Sequence, residues 1–196
     1  MRKNAHLLSG IRQLEAHQPT TEEYIRQEYL CADGKAQIDV RIYDGLEWFD
    51  PLSMGRQREL NGDIYAFIDG KLYTIPTHYP IRICFRGPLP DPSTQAEIRS
   101  ILQEHYLFAL RDKRLDLRIN RLKSIVLGAI GMTLLALYFA LELSDLQPLF
   151  MEFLSIAGSF AIWEAVDFWL LERRSLDLEY LFAGQAALSE ITFSEL

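Results

Sequence analysis

Two carboxylates within an apolar run are the residues whose types and spacing could do chemistry in this chain. Glu164 and Asp167 lie three residues apart in residues 149–171, so a helix would place them near one face. A carboxylate inside a bilayer is costly unless it is paired, hydrated or protonated. The two residues are therefore candidates either for ion pairs or for the wall of an ion path.

Cations for these carboxylates are available if the chain folds as an antiparallel helical hairpin. Arg121 and Lys123 precede the first apolar run and would lie at the same depth, and Arg174 follows the second run. The first hypothesis is a cluster of salt bridges that locks the hairpin at its rim. The second hypothesis places Glu164 on the axis of an oligomer, where a ring of carboxylates favours cations.

Small residues recur in both apolar runs. Such stripes let helices approach closely in lipid. We expect some of this surface to pack within the hairpin and the rest to join copies of the chain as a homo-oligomer, because two helices alone cannot shield both faces. The predicted packing residues are Ser124, Gly128 and Gly131 in the first run and Ala157, Ala161 and Ala165 in the second.

Motifs of catalytic and cofactor sites are missing from the sequence. There is no phosphate-binding glycine loop, dinucleotide fingerprint, HExxH, CxxC or GxSxG. We therefore expect no enzyme, no metal site and no cofactor. The candidate metal ligands are four histidines that lie far apart in sequence: His6, His17, His78 and His105. The two cysteines, Cys31 and Cys84, are typical of small buried hydrophobic residues.

The composition indicates a folded chain. Hydrophobic residues make up 49% of the 196 residues, and the formal net charge is −7. A disordered chain would combine low hydrophobicity with high net charge. The acidic balance, with a pI of about 5.1, argues against a nucleic-acid partner.

The elements that carry the two carboxylates are predicted to cross a membrane. Residues 125–141 contain no charge, residues 149–171 contain only acidic charges, and no Lys or Arg lies between Lys123 and Arg173. A bilayer needs about 20 apolar residues per helix. We predict transmembrane helices over residues 124–142 and 149–171, joined by a short extracytoplasmic loop at 143–148. The alternative is a pair of core helices in a soluble protein.

The distribution of basic residues predicts the orientation. Six Lys or Arg residues cluster at positions 111–123 before the first run, two follow the second run, and the loop has none. Positive charge is retained on the cytoplasmic side. The residues at the start of the chain are too polar for a signal peptide. We expect a multi-pass protein of the bacterial inner membrane with both termini in the cytoplasm.

An α+β cytoplasmic domain is predicted over residues 1–92. Alternating patterns indicate strands at 38–43 and 81–86, and the end of the chain at 190–194 could add a third. Residues 1–17 resemble an amphipathic helix, and residues 61–70 fit either a helix or a strand. A juxtamembrane helix at 93–123 should continue into the first span, so that one helix runs from about residue 93 to 141. Residues 172–196 should return to the cytoplasm as a helix and that possible third strand.

Four segments together resemble a group of small, uncharacterised bacterial membrane proteins with two spans. They are RDKRLDLRINRLKSI at 111–125, IWEAVDFWLLERR at 162–174, the ELNGDIYAFID segment at 59–69 and the C-terminal EITF. The resemblance covers most of the chain and implies the same two-span architecture. It implies no activity and no functional residues.

Three hypotheses for function follow. The first is a non-enzymatic, membrane-anchored interaction or scaffold module, whose partners are the lipid bilayer, other copies of the chain and a cytoplasmic protein. The second is a small oligomeric cation channel or membrane-perturbing effector that the cytoplasmic domain gates. The third, an enzyme acting on lipid head groups, is supported only by the position of the domain at the membrane.

Overall fold

The computed structural model describes Gly10 and residues 19–141 and 148–195. Apart from Gly10, the predicted helix over residues 1–17 lies outside the described residues, as does the predicted loop apart from Pro148. The chain divides into two compact units. The sheet unit comprises Met1–Arg99 with Leu188–Leu196, and the helical unit comprises Ser100–Ala187.

The sheet unit is built on three parallel strands in the order β1–β2–β3. These are β1 (Ala36–Arg41), β2 (Ile81–Arg86) and β3 (Glu190–Ser194). Parallel neighbours need long connections. The connection from β1 to β2 contains a helix, and the helical unit lies between β2 and β3 in sequence. The predicted α+β class is confirmed, and the predicted third strand is present.

Alternation along the strands separates an apolar face of the sheet from a polar one. Ile38 pairs with Ile83, which pairs with Ile191 in β3, and all three side chains are buried. Phe85 is fully buried, and its ring lies 5.3 Å from that of Phe193 between centroids. The residues between these positions form the polar face, which carries most of the charges of the sheet.

Two short helices of the sheet unit begin at side-chain caps. Helix α1 (Thr21–Glu28) starts with a capping box between Thr20 and Glu23. Helix α2 (Gly62–Leu72) starts where the Asn61 side chain accepts a hydrogen bond from the backbone N–H of Asp63 at 3.0 Å. The segment at 61–70, which fits either pattern in sequence, is therefore helical, and it buries Ile64 and Ile68.

Two long helical segments complete the chain. Helix α3 runs without interruption over Pro92–Leu141, which confirms the continuous helix predicted from residue 93 to 141. The Asp91 carboxylate caps it by accepting hydrogen bonds from the backbone N–H groups of Ser93 and Thr94, both at 3.1 Å. Helix α4 (Pro148–Asp167) continues through a π-helical turn at Phe168–Glu172 into α5 (Arg173–Ala187). The sequence does not predict this turn.

Candidate functional site

Both long helical segments contain a strongly apolar stretch whose side chains are largely exposed. The best 18-residue windows have mean hydropathies of 2.1 in Pro92–Leu141 and 1.5 in Pro148–Ala187, and only 6% and 22% of them are buried. Large side chains such as Phe160 and Trp163 are 66% and 70% exposed. By length and composition, both helices could cross a membrane. A core helix of a soluble protein would instead be mostly buried.

Glycines bring α3 and α4 into close contact. A Cβ atom at Gly131 would lie 2.6 Å from Ile162 Cγ1 and 2.9 Å from the carbonyl oxygen of Gly158. A Cβ atom at Gly158 would lie 2.9 Å from Leu135 Cδ2. The helices can approach this closely only because both positions lack side chains. Gly158 is absent from the predicted packing residues, although it is the glycine of the second apolar run.

The other predicted packing residues lie on or near the same contact. A Cβ atom at Gly128 would be 3.7 Å from the Cβ of Ala165. Ala161 and Ala165 are buried, whereas Ala157 is half-buried. The Ser124 hydroxyl donates to the carbonyl oxygen of Ala165 at 2.8 Å. Much of this small-residue surface is thus used within the chain.

Asn120 ties α3 to the π-helical turn. Its Nδ2 donates a hydrogen bond to the carbonyl oxygen of Phe168 at 3.1 Å, and that carbonyl also accepts from the backbone N–H of Arg173. Asn120 is buried, with an exposed fraction of 6%. Its Oδ1 is buried and has no hydrogen-bond partner among the residues that the structure describes. The sequence does not single out Asn120, because its charged neighbours are typical of a solvated helix face.

The structure does not bring the predicted cations to the two carboxylates. Glu164 and Asp167 are half-buried, and within residues 19–141 and 148–195 neither forms an ion pair within 4.0 Å. The Lys123 ammonium instead lies 5.7 Å from the centre of the Phe168 ring. Arg121 lines a cleft beside Asp177, and Arg174 is exposed.

The ion pairs of the helical unit lie beyond the apolar windows. Lys113 Nζ is 2.7 Å from Glu179 Oε2 and 3.9 Å from Asp116 Oδ2, and Arg173 Nε is 3.5 Å from Asp177 Oδ2. The Glu179 carboxylate raises the pKa of the Lys113 ammonium. The contact between Lys113 and Glu179 does not follow from the sequence, because it depends on the register between α3 and α5.

A cleft of about 290 Å³ opens where α3 faces the π-helical turn and the start of α5. Its polar wall contains Asn120, Arg121, Arg173 and Asp177, and its apolar wall includes Phe168 and Trp169. Arg121 and Trp169 are exposed, so the cleft is open to the surroundings. The cleft can offer cationic, anionic and apolar contacts to one ligand.

On the polar face of the sheet, an ion-pair network joins β2 and β3 to the residues just before β1. Arg82 in β2 contacts Asp33 at 2.5 Å and Glu190 in β3 at 2.9 Å, and Glu190 also contacts Lys35 at 2.8 Å. Lys35 and Arg82 lower the pKa of Glu190, and Arg82 lowers the pKa of Asp33. On the same face, Arg86 pairs with Asp39 of β1 at 2.9 Å.

The candidate histidines and cysteines do not form a metal site among the described residues. In the part of the chain that the structure describes, no group of three or more His, Cys, Asp or Glu residues could hold a metal ion. His6 and His17 lie outside that part. Cys84 is buried, as predicted, whereas Cys31 is half-buried, with its Sγ 3.6 Å from Gln37 Oε1.

Comparisons of the chain with protein-family models, curated proteins and solved structures find no match. The resemblance to bacterial two-span proteins therefore stays a prediction.

Proposed function

We propose that the chain is an integral membrane protein whose sheet unit acts as a non-enzymatic interaction module. In this proposal the chain crosses the bilayer as a hairpin at residues 124–142 and 149–171. The observation that carries it is the exposure of the apolar windows in both segments. Moving one large apolar side chain out of water is worth about 1.5–3 kcal/mol, and a bilayer would cover many such side chains at once.

The charge distribution supports one orientation of this hairpin. The basic residues at 111–123 precede the apolar window of α3, and Arg173 and Arg174 follow that of α4. Both groups would face the cytoplasm under the positive-inside rule. The proposed location is the bacterial inner membrane with both termini cytoplasmic, which agrees with the two-span resemblance.

The polar face of the sheet is the proposed surface for a protein partner. Parallel sheets are usually covered on both faces. Here Asp39, Arg41 and Glu190 are exposed, and Arg82 and Arg86 are half-buried. Charges of both signs on a rigid sheet give orientation and selectivity to an encounter. The partner would be a cytoplasmic protein with complementary charges.

Extraction from membranes tests the anchoring. Membranes from cells that express the full chain are washed with alkaline carbonate and then with detergent. An integral hairpin should resist carbonate and be released only by detergent. Release of the folded protein by carbonate would contradict the proposal and favour core helices that another protein chain covers.

A second candidate function, an oligomeric cation channel or membrane-perturbing effector, is favoured by Glu164. This half-buried carboxylate has no ion-pair partner among the described residues and lies beside the packed alanines. Copies associated through α4 could form a carboxylate ring. Cation flux into liposomes should fall strongly in Glu164→Gln but not in Glu152→Gln. Equal flux in both variants, or a monomer in detergent, would count against a pore lined by Glu164.

A further inference from the structure

The cleft beside the π-helical turn has the mixed charge of a site for a zwitterion. Two guanidinium groups, Arg121 and Arg173, and one carboxylate, Asp177, line it. Asp177 already contacts Arg173 at 3.5 Å, but both side chains are about half exposed, at 49% and 48%. Arg121 forms no ion pair within 4.0 Å among the described residues. A ligand with one anionic and one cationic group would therefore match the cleft.

The remaining wall is suited to the glycerol and upper acyl region of a lipid. Ile125, Phe168 and Trp169 line the cleft next to the charged groups. Trp side chains favour the level of the lipid head groups. In the proposed hairpin, Lys123 and Arg173 mark this level, because the stretch without basic residues begins and ends there.

We infer that the cleft binds the head group of a phosphoethanolamine lipid. Arg121 and Arg173 would hold the phosphate, because guanidinium groups match its oxygens. Asp177 would accept hydrogen bonds from the primary ammonium. This inference rests on the proposed membrane insertion. A choline head group has no N–H to donate, and a glycerol head group has no cation for Asp177.

Lipid titration of the full-length protein tests this assignment. Detergent-solubilised protein is titrated with phosphatidylethanolamine, phosphatidylcholine and phosphatidylglycerol of the same acyl chains, and bound lipid is counted by native mass spectrometry. We expect phosphatidylethanolamine to bind about tenfold more tightly than phosphatidylcholine, as one or two hydrogen bonds to a charged group would produce. Equal affinities, or tighter binding of phosphatidylglycerol, would overturn the inference.

Variants separate the two halves of the site. Asp177→Asn should abolish the preference for ethanolamine over choline, whereas Glu172→Gln should keep it. Arg121→Gln should weaken binding of both lipids, whereas Lys123→Gln, whose cation does not line the cleft, should not. An unchanged preference in Asp177→Asn would show that the ammonium binds elsewhere.

A water-soluble ligand distinguishes a lipid from a free phosphoethanolamine. Glycerophosphoethanolamine should bind far more weakly than the lipid, because it cannot use the apolar wall. Equal affinity would overturn the assignment to a lipid. Carbonate extraction separates this inference from the proposed function: a carbonate-resistant protein without ethanolamine preference overturns the lipid site alone. A protein that carbonate releases overturns both.

Discussion

Gly131 determines how closely α3 can approach α4. In Gly131→Val, the new side chain would meet Ile162 and the Gly158 backbone at less than 3.0 Å, so the helices must separate. We expect a loss of about 1–3 kcal/mol in the free energy of unfolding, as for other overpacked contacts. Thermal unfolding in detergent measures it, followed by the fluorescence of Trp163 and Trp169 in a chain that carries Trp48→Phe.

Gly128→Ala is the matched control for this contact. Its new methyl group would lie 3.7 Å from Ala165, an ordinary contact distance, so the stability should change little. If Gly131→Val unfolds at the same temperature as Gly128→Ala, the close helix contact at Gly131 is contradicted.

Gly87 has a comparable role in the sheet unit, at the residue after β2. Its φ of +141° is a conformation that other residues rarely adopt, and an added Cβ would lie 2.2 Å from the Ile42 carbonyl oxygen. Gly87→Ala should lower the free energy of unfolding of the sheet unit by about 1–3 kcal/mol. In a chain that carries Trp163→Phe and Trp169→Phe, the fluorescence of Trp48, whose ring is 5.5 Å from that of Phe85, reports this transition.

Gly62→Ala provides the comparison, because a Cβ at that helical position meets nothing within 4 Å. It should be neutral or slightly stabilising, since Ala is favoured in helices. Equal stability of the Gly87 and Gly62 variants would contradict the contact with Ile42.

The roles of some residues follow from their spacing in the sequence, whereas the roles of others depend on contacts made only in the folded chain. The small residues at Gly128, Gly131, Ala161 and Ala165 could be predicted as packing residues because their spacing alone indicates a flat surface. The failure of Arg121, Lys123 and Arg174 to pair with Glu164 and Asp167 could not be predicted, because it depends on the rotation of α3 against α4. The role of Asn120 depends on a single carbonyl in a distant helical turn.

Arg82 joins β2 to β3 and to the turn before β1, and its two carboxylate partners make the stability of the sheet unit depend on pH. Asp33 and Glu190 have lowered pKa values in the folded protein because Arg82 and Lys35 contact them. A carboxyl whose pKa is lowered on folding contributes stability above its unfolded pKa, and this is lost as the pH falls through the folded pKa. The sheet unit should therefore lose stability as the pH falls from about 5 through the lowered pKa values.

Removal of the shared cation should weaken this dependence. In Arg82→Gln, the pKa values of both carboxyls return toward their usual values, so the unfolding temperature should fall less on acidification than in the native chain. Arg41→Gln keeps the network and should behave like the native chain. If all three proteins show the same pH profile, the network does not couple the strands to pH.

Elements with a strong local pattern could be predicted from the sequence. Helix α3 has an apolar stripe without a breaker, and β2 alternates cleanly between apolar and polar residues. The predicted bounds of both elements therefore lie close to the observed ones. The parallel direction of the strands could not be predicted, because alternation is the same in either direction. The π-helical turn at Phe168–Glu172 was also missed, since no residue there differs from those of an ordinary helix.

At the scale of the whole molecule, the two units carry different kinds of surface. The sheet unit has a buried apolar face and a charged face, whereas the helical unit exposes most of its apolar windows. Such large apolar surfaces are not stable in water without a covering. The central claim is that this covering is a lipid bilayer crossed twice by the chain.

Labelling of single cysteines in intact cells tests that claim most directly. Cysteines are placed at Ile130 and Phe160 in the windows, at Ser144 in the connection and at Ser175 after the second window, with Cys31 and Cys84 replaced. A membrane-impermeant maleimide should label position 144 in intact cells, position 175 only after lysis, and positions 130 and 160 only after detergent. Rapid labelling of 130 and 160 without detergent, or of 144 only after lysis, would contradict the two-span hairpin.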